Sequence, residues 1–201
     1  TEKSARRVIK MGENPEQVFV SGSPSLDTIL NNKIFLSPRE VEGRYGLDLS
    51  RPFLLVIQHP VTSQAEEAAS QITKTLNAVK RFQYQTIIIY PNSDAGGRSM
   101  AGIIENYRKR FHFMKAYKSI PYTDYLNLMK EADVLIGNSS SGITEASSFH
   151  LPVLNIGIRQ EGRERSTNVI DVPHSEQAIY KAVQRALEDK EFIKKVKVCK
   201  N

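Results

Sequence analysis

The chain has 201 residues, of which 40% are hydrophobic and 25% charged, and its formal net charge is +6. A chain of this size is typical of one globular domain that buries roughly 70% of its unfolded surface without a disulfide or a metal. The single cysteine and the short apolar runs argue against a disulfide framework or a membrane span, and the dispersed basic residues argue against a nucleic-acid surface. We therefore expect a cytoplasmic protein.

Short apolar runs rich in β-branched residues alternate with amphipathic stretches along the chain. Because the apolar residues of each run are contiguous, they predict parallel strands that are covered on both faces. The predicted strands are Gln17–Ser21, Phe53–Gln58, Gln85–Tyr90, Phe113–Ala116, Val134–Gly137, Pro152–Ile156 and Val169–Val172.

The amphipathic stretches predict helices, two of which open with a capping box, Ser37–Glu40 and Ser63–Glu66, the second leading a helix to about Lys80. Further helices are predicted at about Arg98–Lys109, Thr123–Glu131, Ser141–Phe149 and Ser175–Asp189. The alternating order predicts an α/β fold: one Rossmann-like domain over residues 1–201, with an open, doubly wound parallel sheet. Ligands of such sheets bind at the carboxyl ends of the strands.

Two of the loops at that edge carry polar side chains early in the chain. His59 follows the predicted strand Phe53–Gln58, and Pro60 restricts its backbone and so helps to fix its direction. The imidazole could donate to a phosphate, act as an acid or base, or only satisfy a loop carbonyl. The loop after Tyr90 contains Asn92, which could bind a base or sugar, and Asp94, for which we favour a role as helix cap.

The segment Gly137–Glu145 is the strongest local signal. It follows a strand and enters a helix, and the hydroxyls of Ser139 and Ser140 with nearby amides favour a phosphate. Glu145 could stabilise the helix N-terminus or accept hydrogen bonds from ribose hydroxyls. A plain serine-rich cap is the alternative. Because the loop has no lysine after its glycine and the chain has no GxGxxG, neither a P-loop nor dinucleotide binding is supported.

The stretch Asn155–Arg165 is dense in arginine and punctuated by glycine. Arginines beside a phosphate loop, Arg159 among them, suggest that the site recognises a diphosphate, although a solvated charged loop is equally consistent with the sequence. No cluster of cysteine and histidine has zinc spacing, so we expect no metal site.

Four sequence segments together resemble the hydrolysing UDP-N-acetylglucosamine 2-epimerases, most of all the branch that makes N-acetylmannosamine for sialic-acid synthesis. The segments are RRVIKMGENPEQVFVSGSPSLD, QHPVTS, YPNSDAGG and IGNSSSGITEASSFHLPVLNIGIRQEGRE. The resemblance implies the second half of a two-domain fold like that of glycosyltransferase B enzymes. It therefore implies a fragment, lacking the preceding domain with the acidic residues that act on the sugar and a final crossover helix.

The resemblance also implies a reaction and a set of site residues. UDP is eliminated from UDP-N-acetylglucosamine, and the glycal is then hydrated to N-acetylmannosamine. No cofactor is implied, and the partners are the nucleotide sugar and, for the full-length enzyme, further copies of itself. The implied residues are His59 as the catalytic histidine, Ser139 and Ser140 on phosphate, Glu145 on ribose, Arg159 and Asn92 in the nucleotide pocket, and Ile120 against uracil.

Two other functions remain open on the sequence alone. A glycosyltransferase that uses UDP-sugars has the same fold and would require an acceptor, and a regulator that binds nucleotides without catalysis needs no acid or base. Fold membership does not decide between them.

Overall fold

The computed structural model describes residues 1–31 and 35–201, which divide into two compact units, Thr1–Asn32 and Lys33–Asn201. The first unit contains helix α1, Glu2–Lys10, which Thr1 caps by accepting from the Ser4 N–H, then a 3-10 turn at Pro15–Gln17 and helix α2, Pro24–Leu30. Neither helix was predicted from the sequence.

The strand predicted at Gln17–Ser21 is wrong. The 3-10 turn ends at Gln17, and the residues after it join no sheet within the described ranges. A strand needs hydrogen-bonded neighbours, and Phe19, which the apolar pattern placed in a covered strand, is 83% exposed.

The second unit is built on a six-stranded parallel sheet with the order β3-β2-β1-β4-β5-β6. This is the order of the Rossmann fold, so the predicted doubly wound α/β class is confirmed. The strands are β1 Phe53–Ile57, β2 Gln85–Ile89, β3 Met114–Tyr117, β4 Val134–Gly137, β5 Val153–Ile156 and β6 Val169–Val172. The six predictions for this region match them to within a residue at each end.

Helices flank this sheet on both faces. They are α3 Pro38–Tyr45, α4 Ala68–Lys80, α5 Gly97–Arg110, α6 Tyr122–Glu131, α7 Ser141–Thr144, α8 Glu176–Glu188 and α9 Lys190–Lys197. Apolar residues of α4, α5 and α8 pack on β1, β2, β4 and β5 in one continuous core. None of the helices within the described ranges is long and apolar enough to cross a membrane.

Local capping decides where several of these helices begin. The predicted capping box at Ser37 is confirmed, because Ser37 Oγ accepts from the Glu40 N–H and the Glu40 carboxylate accepts from the Ser37 N–H. The box at Ser63 is wrong: Ser63 lies inside a 3-10 turn, Thr62–Glu67, and α4 starts only at Ala68. Helix α9 was not predicted; Asp189 caps it by accepting from two backbone N–H groups.

The helix predicted over Ser141–Phe149 is interrupted at its centre. Helix α7 ends at Thr144 and a 3-10 turn begins at Ala146, with Glu145 between them at φ −116° and ψ −39°. Glu145 is buried, and its carboxylate accepts a hydrogen bond from Tyr122. The break thus falls at a residue that the sequence assigns to the ligand site.

Candidate functional site

The candidate site lies at the carboxyl edge of the sheet, between β1 and β4, where the strand order reverses. Gly137 ends β4 with φ +140°, and a Cβ there would lie 1.9 Å from the carbonyl oxygen of Ile57. Only glycine allows this close approach of the two strand ends. The next residue continues the pairing, since the N–H of Asn138 donates to the same carbonyl at 3.1 Å.

Asn138 connects the loops that follow β1, β4 and β5. Its Oδ1 accepts from the backbone N–H of His59 at 2.7 Å, and its Nδ2 donates to the carbonyl of His59 at 2.8 Å. Its own carbonyl accepts from Arg159 Nη1 at 3.2 Å and from Gln160 Nε2 at 2.8 Å. Asn138 is only 1% exposed, so its own groups in these bonds are shielded from water.

This residue fixes three candidate loops relative to each other, and the sequence analysis did not assign it that function. The available signal was an amide side chain directly after a strand-terminal glycine, at the edge where ligands bind. Its partners, however, lie 79 and 21 residues away, and only the sheet order brings them together.

His59 is held in a defined tautomer. Its Nδ1 accepts from the backbone N–H of Asn92 at 3.1 Å, so a neutral ring carries its proton on Nε2. Burial and, to a smaller extent, the positive charge of Arg159 together lower the pKa of His59 to about 4, against the opposing effect of Asp94. Near pH 7 the ring is therefore a neutral hydrogen-bond donor at Nε2.

Asn92 lies beside His59 and contacts it through its backbone, whereas its side chain is exposed and donates to Asp94 Oδ2 at 2.6 Å. The expectation that Asp94 caps the following helix is wrong. The N-cap of α5 is Gly96, which makes no side-chain cap, and the Asp94 carboxylate turns back to Asn92.

Arg159 is half-buried in the loop after β5, near enough to His59 for its charge to lower the pKa of the ring. That loop begins at Gly157, whose φ of +74° favours glycine and where a Cβ would lie 2.2 Å from His174 Nε2. The close contact with His174, together with the bonds to Asn138, fixes the start of the arginine-rich segment beside the candidate site.

The serine-rich loop presents hydroxyls more than a helix dipole. Helix α7 has four residues, which is too short for a substantial dipole at its N-terminus. Ser139 Oγ lies 2.8 Å from Ser141 Oγ, and that oxygen lies 2.5 Å from Tyr125 Oη. The carbonyl of Ser140 accepts from the Thr144 hydroxyl at 3.1 Å, as part of the same short helix.

A cavity of about 280 Å³ opens beside these hydroxyls. Its lining includes the ends of β1 and β2, the segment Lys118–Ile120, and the side chains of Tyr122, Tyr125 and Ser139. The Tyr122 hydroxyl donates to Glu145 Oε1 at 3.3 Å, which places that carboxylate next to the cavity. Ile120 and Ser139 thus line one cavity, with Glu145 bonded to the lining residue Tyr122. His59 and Arg159 lie around Asn138 in the adjoining loops.

The reversal of strand order and the polar loops beside it define a Rossmann-like α/β unit with a site at its switch point. The chain belongs to the UDP-N-acetylglucosamine 2-epimerase family, whose model matches residues 1–201. The family resemblance noted in the sequence is therefore confirmed. Within the described ranges, no group of three His, Cys, Asp or Glu side chains could hold a metal.

Individual relatives agree with the family match. The chain is 39% identical over 188 residues to UDP-N,N'-diacetylbacillosamine 2-epimerase (hydrolyzing) of Legionella pneumophila, covering 93% of this chain and 49% of that protein. It is 38% identical to polysialic acid biosynthesis protein P7 of Escherichia coli, covering 100% and 51%. The chain therefore spans about half the length of these relatives.

A solved structure supports the fold. The crystal structure of UDP-GlcNAc 2-epimerase from Neisseria meningitidis bound to UDP-GlcNAc superposes with a TM-score of 0.75, covering 98% of this chain and 54% of that one. The sequence identity is 18%, so this similarity concerns the fold.

Proposed function

We propose that this chain supplies the UDP-binding part of a hydrolysing UDP-N-acetylglucosamine 2-epimerase. In the proposed reaction, the C2 proton is removed, the C1–O bond breaks and UDP leaves, which gives a 2-acetamidoglycal. Water then adds hydroxide at C1 and a proton at C2 from the opposite face. The products are UDP and N-acetylmannosamine.

The observation that carries this proposal is the convergence of serine hydroxyls, a carboxylate and a guanidinium at one sheet edge of a member of this family. The cavity that Ile120 lines would hold the uracil, and Glu145 beside it would accept from the ribose hydroxyls. The hydroxyls of Ser139 and Ser140 and the guanidinium of Arg159 would bind the diphosphate. Asn92 would contribute through the position that it gives to His59.

His59 would assist departure of UDP as a neutral donor. With Nδ1 occupied by the Asn92 N–H, its Nε2–H is the group that can reach a phosphate oxygen. Negative charge grows on that oxygen as the C1–O bond breaks, so a donor fixed in place stabilises the transition state more than the ground state. Binding of the diphosphate would also raise the low pKa of the ring, because an anion favours its protonated form.

The hydrolysing reaction and the sugar are the finer parts of the proposal. The Legionella relative is named a hydrolysing enzyme, which supports release of free UDP instead of a UDP-linked epimer. That relative is also named for UDP-N,N'-diacetylbacillosamine. This sugar nucleotide is therefore the second candidate substrate, and the UDP site described above would serve both.

The test is incubation of the protein at its natural length with UDP-N-acetylglucosamine in D₂O, followed by ³¹P and ¹H NMR. We expect free UDP together with N-acetylmannosamine that carries one deuterium at C2. A UDP-linked epimer would exclude the hydrolysing reaction. Turnover of UDP-N,N'-diacetylbacillosamine alone would establish the second candidate, and turnover of neither would overturn the proposed function.

A further inference from the structure

Two tyrosines face the candidate site from the first turn of α6. Tyr122 and Tyr125 are three residues apart, which places them on the same side of the helix. Both line the cavity, but their hydroxyls contact different groups: that of Tyr122 donates to Glu145, and that of Tyr125 lies against Ser141. Neither tyrosine was singled out by the sequence.

The hydroxyl of Tyr125 is one end of a chain of three hydroxyls. Tyr125 Oη lies 2.5 Å from Ser141 Oγ, and Ser141 Oγ lies 2.8 Å from Ser139 Oγ. Two hydrogen bonds among three hydroxyls use two of the three hydrogens, so one hydrogen remains for a group outside the chain. Which hydroxyl keeps it depends on the direction in which the bonds run.

Several features favour a direction that begins at Tyr125. A phenol is more acidic than an alcohol and is therefore the better donor. Burial raises the pKa of Tyr125 and outweighs the lowering effect of the hydrogen bonds with Ser141 and Ser139, so its hydroxyl keeps its proton and can donate. Ser139 Oγ also accepts from the backbone N–H of Ser141 at 3.4 Å, so a further donor from Ser141 Oγ fills both of its lone pairs. The remaining hydrogen is then that of Ser139.

We propose that Tyr125 is a positioning residue for nucleotide binding: its hydroxyl donates to Ser141, Ser141 donates to Ser139, and the Ser139 hydrogen is thereby directed to a phosphate oxygen. This inference rests on the proposed function, because it assumes that a nucleotide diphosphate binds beside Ser139. The Tyr125 hydroxyl would act on the phosphate only through the two serines. Without its hydroxyl, Ser139 could donate to Ser141 instead and turn its hydrogen away from the ligand.

The experiment compares Tyr125→Phe with Tyr122→Phe in the protein at its natural length. Each change removes one hydroxyl from the same helix turn and keeps the ring. The affinities for UDP and for uridine are measured by calorimetry or by competition, and thermal unfolding is followed in parallel. Tyr180→Phe in α8, where the ring stacks on Phe82, is the control for loss of a hydroxyl away from the site.

We expect Tyr125→Phe to weaken UDP binding about fivefold to tenfold, where tenfold corresponds to about 1.4 kcal/mol, and to leave uridine binding within about twofold. Tyr122→Phe should weaken both ligands by a similar factor, because its partner Glu145 is proposed to hold the ribose. Tyr180→Phe should change neither affinity.

Equal weakening of UDP and uridine by Tyr125→Phe would assign the residue a structural role and overturn the inference. Unchanged UDP affinity in that variant would overturn it as well, while leaving the proposed function intact. Failure of the unsubstituted protein to bind UDP would instead overturn the proposed function, and the inference with it.

Discussion

Two side-chain amides, at opposite edges of the sheet, each form a pair of hydrogen bonds with the backbone N–H and carbonyl of one other residue. At the carboxyl edge, Asn138 accepts from the N–H of His59 at 2.7 Å and donates to the carbonyl of His59 at 2.8 Å. At the amino edge, Gln85 accepts from the N–H of Asp48 at 2.7 Å and donates to the carbonyl of Asp48 at 2.8 Å. Bond lengths do not distinguish the Asn138 pair from the Gln85 pair.

Burial and neighbours distinguish them. In the Gln85 pair, Gln85 is half-buried and Asp48 is exposed. Gln85 and Lys115 line a cavity of about 310 Å³, and Lys115 Nζ donates to the carbonyls of Tyr45 and Gly46. The polar groups there satisfy the backbone of the chain itself. In the Asn138 pair, Asn138 is buried and His59 is half-buried, and the His59 ring, with its proton on Nε2, lies near the cationic Arg159. The same pattern of hydrogen bonds thus supports the chain at one edge and orients the proposed ligand-binding groups at the other.

The largest expected difference is between substitutions of the two residues whose backbone the amides bind, His59 and Asp48. His59→Ala should lower turnover of the nucleotide sugar by about 10²–10³-fold, as expected for loss of a donor that acts on developing charge. UDP affinity should change much less, since the serines and Arg159 remain. Asp48→Ala is the matched control, and turnover should stay within about twofold. Initial rates of UDP release measure both; a change of only a few-fold for His59→Ala would show that the histidine has a structural role.

The second comparison removes the amides themselves. Asn138→Ala removes a buried amide and leaves the N–H and carbonyl of the half-buried His59 without these partners, and we expect a loss of about 2–4 kcal/mol in the free energy of unfolding. In Gln85→Ala, water can replace the lost bonds, so a loss of about 0.5–1 kcal/mol is expected. Urea denaturation of both variants measures the difference. Similar losses would contradict the argument that burial separates the two pairs.

The sequence predicted the sheet well because strand signals are local. Contiguous apolar residues such as those of β1 identify a covered parallel strand without knowledge of its neighbours. The same logic failed at Gln17–Ser21, where the apolar residues have no sheet to join in the described unit. The capping box at Ser63 also failed, because the motif requires an extended backbone at that serine, and the chain forms a 3-10 turn there.

The candidate site was predictable only in part. Position after a strand was enough to single out His59, Ser139 and Glu145, since the ends of parallel strands share one edge. The functions of Asn138 and Tyr125 depend on contacts across 79 and 16 residues, which no spacing in the sequence indicates. Their residue types are also common in loops and helices, so only the three-dimensional arrangement distinguishes them.

The third prediction compares a carboxylate near the candidate site, Glu145, with one near the Gln85 pair, Glu42. Glu145→Ala should weaken UDP binding by about 1.5–3 kcal/mol if the carboxylate accepts from the ribose hydroxyls. The loss should be much smaller for 2′-deoxy-UDP. Glu42→Ala, which removes a carboxylate that accepts from the Leu49 N–H near the Gln85 pair, should leave both affinities unchanged. Calorimetry with both nucleotides tests this, and equal losses for the two in Glu145→Ala would exclude the ribose contact.

The smallest expected effect is a difference in the pH ranges over which His59 and Asp48 contribute to the free energy of unfolding. The pKa of His59 is lowered to about 4, from an ordinary value of 6.5, chiefly by burial. Between these two values the unfolded chain binds a proton that the folded chain does not, so stability rises with pH across this window. The contribution of the neutral His59 ring to stability is fully present above about pH 6.5 and is lost as the pH falls to about 4. Because the ring is only partly buried, we expect about 1–2 kcal/mol.

Asp48 titrates in a different window, and this separates the two pairs. Hydrogen bonds from Ser50 lower the pKa of Asp48 below its ordinary 3.8, so its contribution is lost only below about pH 4. Urea denaturation between pH 4 and 7 should therefore show a shallower dependence for His59→Gln and an unchanged one for Asp48→Asn. His174, whose pKa burial also lowers, contributes equally in both variants. If the stability of His59→Gln depends on pH as strongly as that of the unsubstituted protein, burial of the His59 ring is not the cause of this dependence.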